Sequence, residues 1–299
     1  MEYLSRRLEL LKKDRLFRYH PRCGKLKISH LIFTDDLLLF AKDDLYSIQK
    51  LYQCVKDFSD TTGLESNMDK CPIYFGGVDA SVKSEIKNFL GFSEGVLPFK
   101  YLGVPLIWRL QVAKMIDELC RKFLWGKSEN SFKTPLVSWD KVCCGKKQGG
   151  LGVFSASNWN LASAMRSIWY IHVNKEILWV KWIHGNYLKH WDVWHVKAKK
   201  GDSWMWKQLL KCRDKALNKV GGIDNLKQFL SACYKNSKIQ LSAVYTTFSP
   251  FSQNVPWINT VWGKLNYPRH SFVMWLAMLN RLFTGKLIHF SFDYQAVYW

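Results

Sequence analysis

No CxxC pair occurs among the eight cysteines, Cys23, Cys54, Cys71, Cys120, Cys143, Cys144, Cys212 and Cys233. That absence excludes the usual spacing of a structural zinc site or a redox pair, so no zinc is expected and the thiols read as reduced, in an intracellular protein. Whether that means the nucleus, the sequence does not decide. Long apolar runs are also missing. Val273–Leu279 is the longest late one, against about 20 residues needed to span a bilayer, so no membrane segment is expected. Arg6, Arg7, Lys12 and Lys13 interrupt any apolar stretch at the start, which excludes a signal peptide there. Low-complexity segments and solenoid repeats are absent.

Carboxylates are scarce in one part of the chain only. Residues 1–100 carry 16 Lys/Arg against 14 Asp/Glu, whereas residues 101–299 carry 28 against 10. The whole chain has a formal charge of +20, and all 15 tryptophans follow residue 100, starting at Trp108. Such an excess calls for a polyanionic partner, most often nucleic acid. Hydrophobic residues at 48% and charged residues at 23% of 299 are near globular averages, which excludes wholesale disorder.

Periodicity predicts helices over about 1–18, 44–62, 79–90, 109–125, 158–173, 175–188, 203–220, 224–234, 257–265 and 270–282. Gly63 and Gly91 stand where C-terminal caps belong, and Pro268 separates the last two helices. Short strands are predicted at Leu26–Phe33, Leu37–Lys42, Cys71–Phe75, Tyr101–Leu106 and Ile239–Phe248. The class is α+β, mainly α-helical. Gly145-Lys146-Lys147-Gln148-Gly149-Gly150 lacks the GK[ST] ending of a phosphate loop and reads as a basic loop.

The sharpest motif is Ile28-Ser-His-Leu-Ile-Phe-Thr-Asp-Asp-Leu-Leu-Leu-Phe40, in which Asp35 and Asp36 stand side by side between apolar strands. Buried like charges repel and have raised pKa values unless a cation neutralises them. Hard carboxylate oxygens suit Mg²⁺, and a two-metal clamp serves phosphoryl transfer. A solvated hairpin tip is the plainer reading, and periodicity leaves both open.

Phe33-Thr-Asp-Asp36 between apolar strands resembles the catalytic hairpin of reverse transcriptases, in particular those of plant non-LTR (LINE-type) retrotransposons, which usually have Ala at the position of Thr34. Met1-Glu-Tyr-Leu-Ser-Arg6 and His20-Pro-Arg-Cys23 resemble the segment before that hairpin. Phe58-Ser59, Gly63-Leu64, Asn67 and Lys70 resemble the following palm motif, and Phe99-Lys-Tyr-Leu-Gly-Val-Pro-Leu106 the primer grip. Cys120-Arg121, Phe123-Leu-Trp-Gly126, Trp139 and Gly149-Gly-Leu-Gly152 resemble the connection beyond the thumb. Trp257, Trp262 and Pro268–Leu282 resemble the start of the reverse-transcriptase zinc-binding domain.

The resemblance implies a partial palm and primer-grip region over 1–106, a basic helical thumb and connection region with an internal deletion over 107–240, and a truncated zinc-binding-like region over 241–299. It implies Asp35 and Asp36 as Mg²⁺ ligands, Lys70 near the incoming triphosphate, and Tyr101, Leu102 and Gly103 against the primer end. The family's palm needs a further upstream aspartate and fingers, and its zinc domain needs Cys/His ligands, and neither set is in this sequence. The expectation is therefore a reverse-transcriptase fragment, inactive alone, with RNA and DNA as non-specific partners. Two alternatives stand beside it: a non-enzymatic nucleic-acid-binding protein, and a remnant with no selected function. Trp159, Trp169, Trp179, Trp182, Trp191, Trp194, Trp204 and Trp206 interleave with lysines as base-stacking residues do, although tryptophan at helical spacing is more often core. Lys197, Lys199 and Lys200 read as a solvated basic loop, and the irregular spacing of His184, His190 and His195 argues against zinc.

Overall fold

The computed structural model describes residues 1–67, 71–96, 100–101, 104–105, 110–126, 135–250, 253–264 and 266–282. In chain order, the helices are α1 (Glu2–Leu10), α2 (Leu45–Thr62), α3 (Ala80–Leu90), α4 (Leu110–Trp125), α5 (Trp139–Cys143), α6 (Ala156–Val173) and α7 (Leu178–Ile183). They continue with α8 (Trp204–Val220), α9 (Ile223–Ala232), α10 (Leu241–Phe248), α11 (Ile258–Trp262) and α12 (Pro268–Met278). Among the described residues three antiparallel two-stranded ribbons complete the α+β, mainly helical fold: β1 (His30–Phe33) with β2 (Asp36–Leu39), β3 (Lys100–Tyr101) with β4 (Val104–Pro105), and β5 (Tyr234–Lys235) with β6 (Lys238–Ile239). The chain divides into two compact units, residues 1–108 with 170–205, and residues 109–169 with 206–299.

The first unit is built on α1 against α2. Leu4, Leu8 and Leu11 recur at helical spacing and meet Leu51, Cys54 and Phe58, with Phe17 closing the cluster. Removing these side chains from water is the main stabilising term here. The Arg7 guanidinium pairs with Asp57 across the helices. Asp44 caps α2 by accepting a hydrogen bond from Ser47 N at 2.9 Å, and Gly63 ends it at φ +72°, a conformation that costs glycine little.

Helix α1 stops at Leu10, followed by one 3₁₀ turn to Lys13, rather than running to residue 18. The Asp14 carboxylate accepts hydrogen bonds from Leu16 N at 2.9 Å and Tyr46 OH at 2.9 Å, and this local alternative turns the chain so that Phe17 reaches the core. The first predicted strand is shorter too, because Gly24–Leu26 forms a 3₁₀ turn. Cys71–Phe75 is not a strand; it makes a single parallel bridge, Ile73 to Glu94. The predicted 175–188 helix begins at Leu178 and widens into a π turn over His184–Leu188.

In the second unit Val142, Val261 and Trp275 are fully buried, with Val137, Trp139, Cys143 and Leu276 beside them. Trp275 Nε1 donates to Gly149 O at 2.9 Å. At Gly150 a Cβ would lie 2.1 Å from Cys144 O, so the glycine-rich loop is a tightly packed turn under α12. Pro268 does not separate two helices but opens α12 at its first turn, where its missing N–H is harmless. Of the predicted strand Ile239–Phe248 only Ile239 is in a strand, the end of β6, and Leu241–Phe248 is helix α10. Leu241, Val244, Tyr245 and Phe248 recur at helical spacing, and the last three are buried.

Asp117 lies on the buried side of α4 and caps α6. Its carboxylate accepts from Ser155 Oγ at 3.1 Å, Ala156 N at 2.7 Å and Ser157 N at 3.1 Å. Burial pushes this carboxyl up, but the hydrogen bonds from Ser157, Ala156 and Ser155 together outweigh that and hold it below the usual carboxylate value. The opposite side of α4 carries Val112, Met115, Ile116, Leu119 and Phe123, all exposed, with Phe123 at 91%.

Candidate nucleic-acid interface

The Asp-Asp hairpin folds as the alternation of its residues requires. The register runs from His30 opposite Leu39 to Phe33 opposite Asp36, so Thr34 and Asp35 form the turn and Asp36 belongs to β2. Thr34 takes φ +51° to allow the two-residue reversal. The base of the ribbon is tied down by Phe40 N donating to Ser29 O at 2.8 Å and by a 3.0 Å hydrogen bond between Ser5 Oγ and His30 Nε2.

Asp35 and Asp36 are both exposed, so of the two arrangements the periodicity leaves open the hairpin has the solvated tip. Leu31, Phe33 and Leu39 are exposed as well, Phe33 at 65%. Among the described residues no group of three or more His, Cys, Asp or Glu is placed to hold a metal ion. A two-metal clamp needs several converging oxygens, and this hairpin supplies two carboxylates in adjacent positions. The residues described therefore do not fit a complete Mg²⁺ site. Lys70, Leu102 and Gly103 lie outside the described residues. Tyr101 ends β3, with its backbone paired to Val104.

The adjacent pair Cys143 and Cys144 offers no reactive thiolate. Burial, helped by the charges of Asp117 and Asp140, pushes the Cys143 thiol up to about 12, and burial raises that of Cys144.

The eight interleaved tryptophans divide. Trp169, Trp194 and Trp206 are buried, Trp182 is half-buried, and Trp159, Trp179, Trp191 and Trp204 are exposed, Trp191 most of all at 63%. Lys189, Lys197, Lys199 and Lys200 are exposed around Trp191 in the sequence, as are His190 and His195. Sequence reasoning grouped all eight tryptophans and so missed this distinction. The signal was present: Trp191 sits between His190 and Asp192, while Trp194 follows Val193 and precedes the buried Val196 by two positions. The cap made by Asp117 left no such signal, since its partners lie 38 to 40 residues away.

No family model matches the chain. A putative ribonuclease H protein of Arabidopsis thaliana is similar to it over 68 residues, at 41% identity. Those residues are 23% of this chain and 11% of that protein, so the chain spans about a tenth of the relative it matches. Among the described residues no helix is long and apolar enough to cross a membrane.

Proposed function

We propose that the chain is part of a retroelement-derived reverse transcriptase, that it binds RNA and DNA without sequence preference through its basic portion, and that it does not polymerise by itself. The observation that carries the reading is electrostatic. Residues 101–299 hold 28 Lys/Arg against 10 Asp/Glu, and the cations at 189, 197, 199 and 200 are exposed. Lysines that neutralise phosphates release condensed counterions, which drives binding irrespective of sequence.

The partial likeness to a plant protein named for ribonuclease H, an enzyme of nucleic acid, agrees with a retroelement origin. Ribonuclease H activity itself is not carried over from a match to 11% of that protein. The ordered motifs from Phe33-Thr-Asp-Asp36 to the primer-grip-like Phe99–Leu106 make the reverse-transcriptase assignment the more specific one. Asp35 and Asp36 are its metal-binding pair, but among the described residues no third carboxylate joins them, and two adjacent ones do not clamp the attacking and leaving oxygens together.

The test incubates the full chain with a primer–template, deoxynucleotides and Mg²⁺ or Mn²⁺. The expected result is a retarded but unextended primer. Extension that vanishes in Asp35→Ala would overturn the inactive reading, and a primer that is not retarded at about 50 mM salt would overturn the nucleic-acid reading.

A further inference from the structure

The segment from Lys189 to Lys200 is a loop in which buried and exposed residues alternate. Its start is set by the π turn His184–Leu188, which ends with Lys189 at φ +52° and ψ −94°. A lysine held in so rare a conformation needs its surroundings to impose it. They do so through buried neighbours: Leu188 before it, then Val193, Trp194 and Val196 after it, each 4% exposed or less. The Asp192 carboxylate accepts from Trp194 N and His195 N, both at 2.8 Å, and lies 2.8 Å from His195 Nδ1. The Arg22 guanidinium joins the two ends, lying over the Tyr187 ring at 5.4 Å before the loop and donating to Gly201 O at 3.4 Å after it. The loop is thus anchored at several points along its length.

What this frame presents outward is one aromatic face and positive charge. Trp191 is 63% exposed, and Lys189, Lys197, Lys199 and Lys200 are exposed in the same loop. The one carboxylate within it, Asp192, is engaged by the loop's own N–H groups. An exposed indole on a rigid, cationic frame matches what a single strand asks of a protein: a π-face for an unpaired base and cations for the backbone on either side. A duplex keeps its bases stacked inside and uses only the cations.

We infer that the Lys189–Lys200 loop is a binding site for single-stranded nucleic acid, with Trp191 as the residue on which a base stacks. This rests on the nucleic-acid reading above and adds to it a location and a preference for unpaired strands. The indole contributes only to single strands; the lysines contribute to both forms. The preference therefore belongs to Trp191, and the salt dependence to Lys189, Lys197, Lys199 and Lys200.

The experiment measures binding of the full chain to an oligo-dT of about 12 bases, within the site sizes such proteins use, and to a duplex of the same length. Trp191→Ala should weaken single-strand binding about tenfold, the loss of one stacked base, and leave duplex binding within about twofold. Trp191→Phe, which keeps a ring, should retain most of the affinity. Lys197→Ala with Lys199→Ala should weaken both and reduce the slope of log affinity against log salt by about 2. An unchanged single-strand to duplex ratio in Trp191→Ala, whether both affinities fall alike or neither moves, would overturn the inference while leaving the nucleic-acid reading intact. A wild-type chain that binds neither oligonucleotide would overturn both. Trp191 is largely exposed, so its variants keep the native far-ultraviolet spectrum.

Discussion

Replacing Asp117 by alanine tests how the second unit is held. The side chain accepts three hydrogen bonds, from Ser155 Oγ, Ala156 N and Ser157 N, between 2.7 and 3.1 Å. It therefore caps the first N–H groups of α6, an 18-residue helix, beside Ser155, whose Oγ accepts from Asn158 N at 3.3 Å. Loss of a helix cap costs about 0.5–2 kcal/mol. Stranding a buried donor adds about 1–3 kcal/mol, and Ser155 is buried. A total of roughly 1.5–5 kcal/mol follows, which lowers the melting temperature by roughly 3–10 °C in a chain of this size. The sign with pH is fixed as well. The folded carboxyl lies below its usual value, so its contribution is fully present above about pH 4, the unfolded value, and is lost as pH falls through the folded one. The gap in melting temperature between wild type and Asp117→Ala should be widest at neutral pH and narrow in acid below about pH 4. Thermal melts followed by circular dichroism across pH measure it. A variant that melts within about 1 °C of wild type at neutral pH, or a gap that widens in acid, would refute the capping argument.

Further outcomes follow from other parts of the chain. The exposed Val112, Met115, Ile116, Leu119 and Phe123 face of α4 should cause concentration-dependent association and bind a hydrophobic dye; Leu119→Lys with Phe123→Lys should reduce both, and a monodisperse wild-type monomer in sedimentation would count against this. Elemental analysis should find less than about one zinc per chain, because a closed structural site needs four ligands; stoichiometric zinc lost in Cys143→Ser with Cys144→Ser would contradict it. Leu8→Ala, at the fully buried contact of α1 with α2, should cost about 2–5 kcal/mol in denaturant unfolding, and a cost below about 1 kcal/mol would show that this contact is not core.

Much of the fold was legible because periodic burial writes itself into the sequence. Helices α2, α3 and α4 fall where their apolar residues recur, and Gly63 and Gly91 end the first two at φ +72° and +69°. The hairpin of Asp35 and Asp36 was legible for the same reason, since two short apolar runs with a turn between them have one economical pairing. Leu241–Phe248 was misread because β-branched and aromatic residues weighed more than their spacing, although Val244, Tyr245 and Phe248 meet the core only as a helix. The end of α1 depended on Asp14 finding Tyr46, 32 residues away, which no local pattern records. The site was legible only in part. Carboxylate identity was readable at Asp35 and Asp36, but their exposure is a tertiary property, as is the difference between the anchored Trp194 and the outward Trp191.

The salt dependence of nucleic-acid binding by the full chain tests the central claim most directly. If the four exposed lysines of the Lys189–Lys200 loop each neutralise a phosphate, log affinity falls with log salt at a slope of about −3 to −4, or about a hundredfold between 50 and 200 mM. The dissociation constant at physiological salt should lie at roughly 10⁻⁴–10⁻⁶ M, as for non-specific binders, and be alike across sequences. Binding that is absent at about 50 mM salt, or an affinity that does not change with salt, would contradict the account.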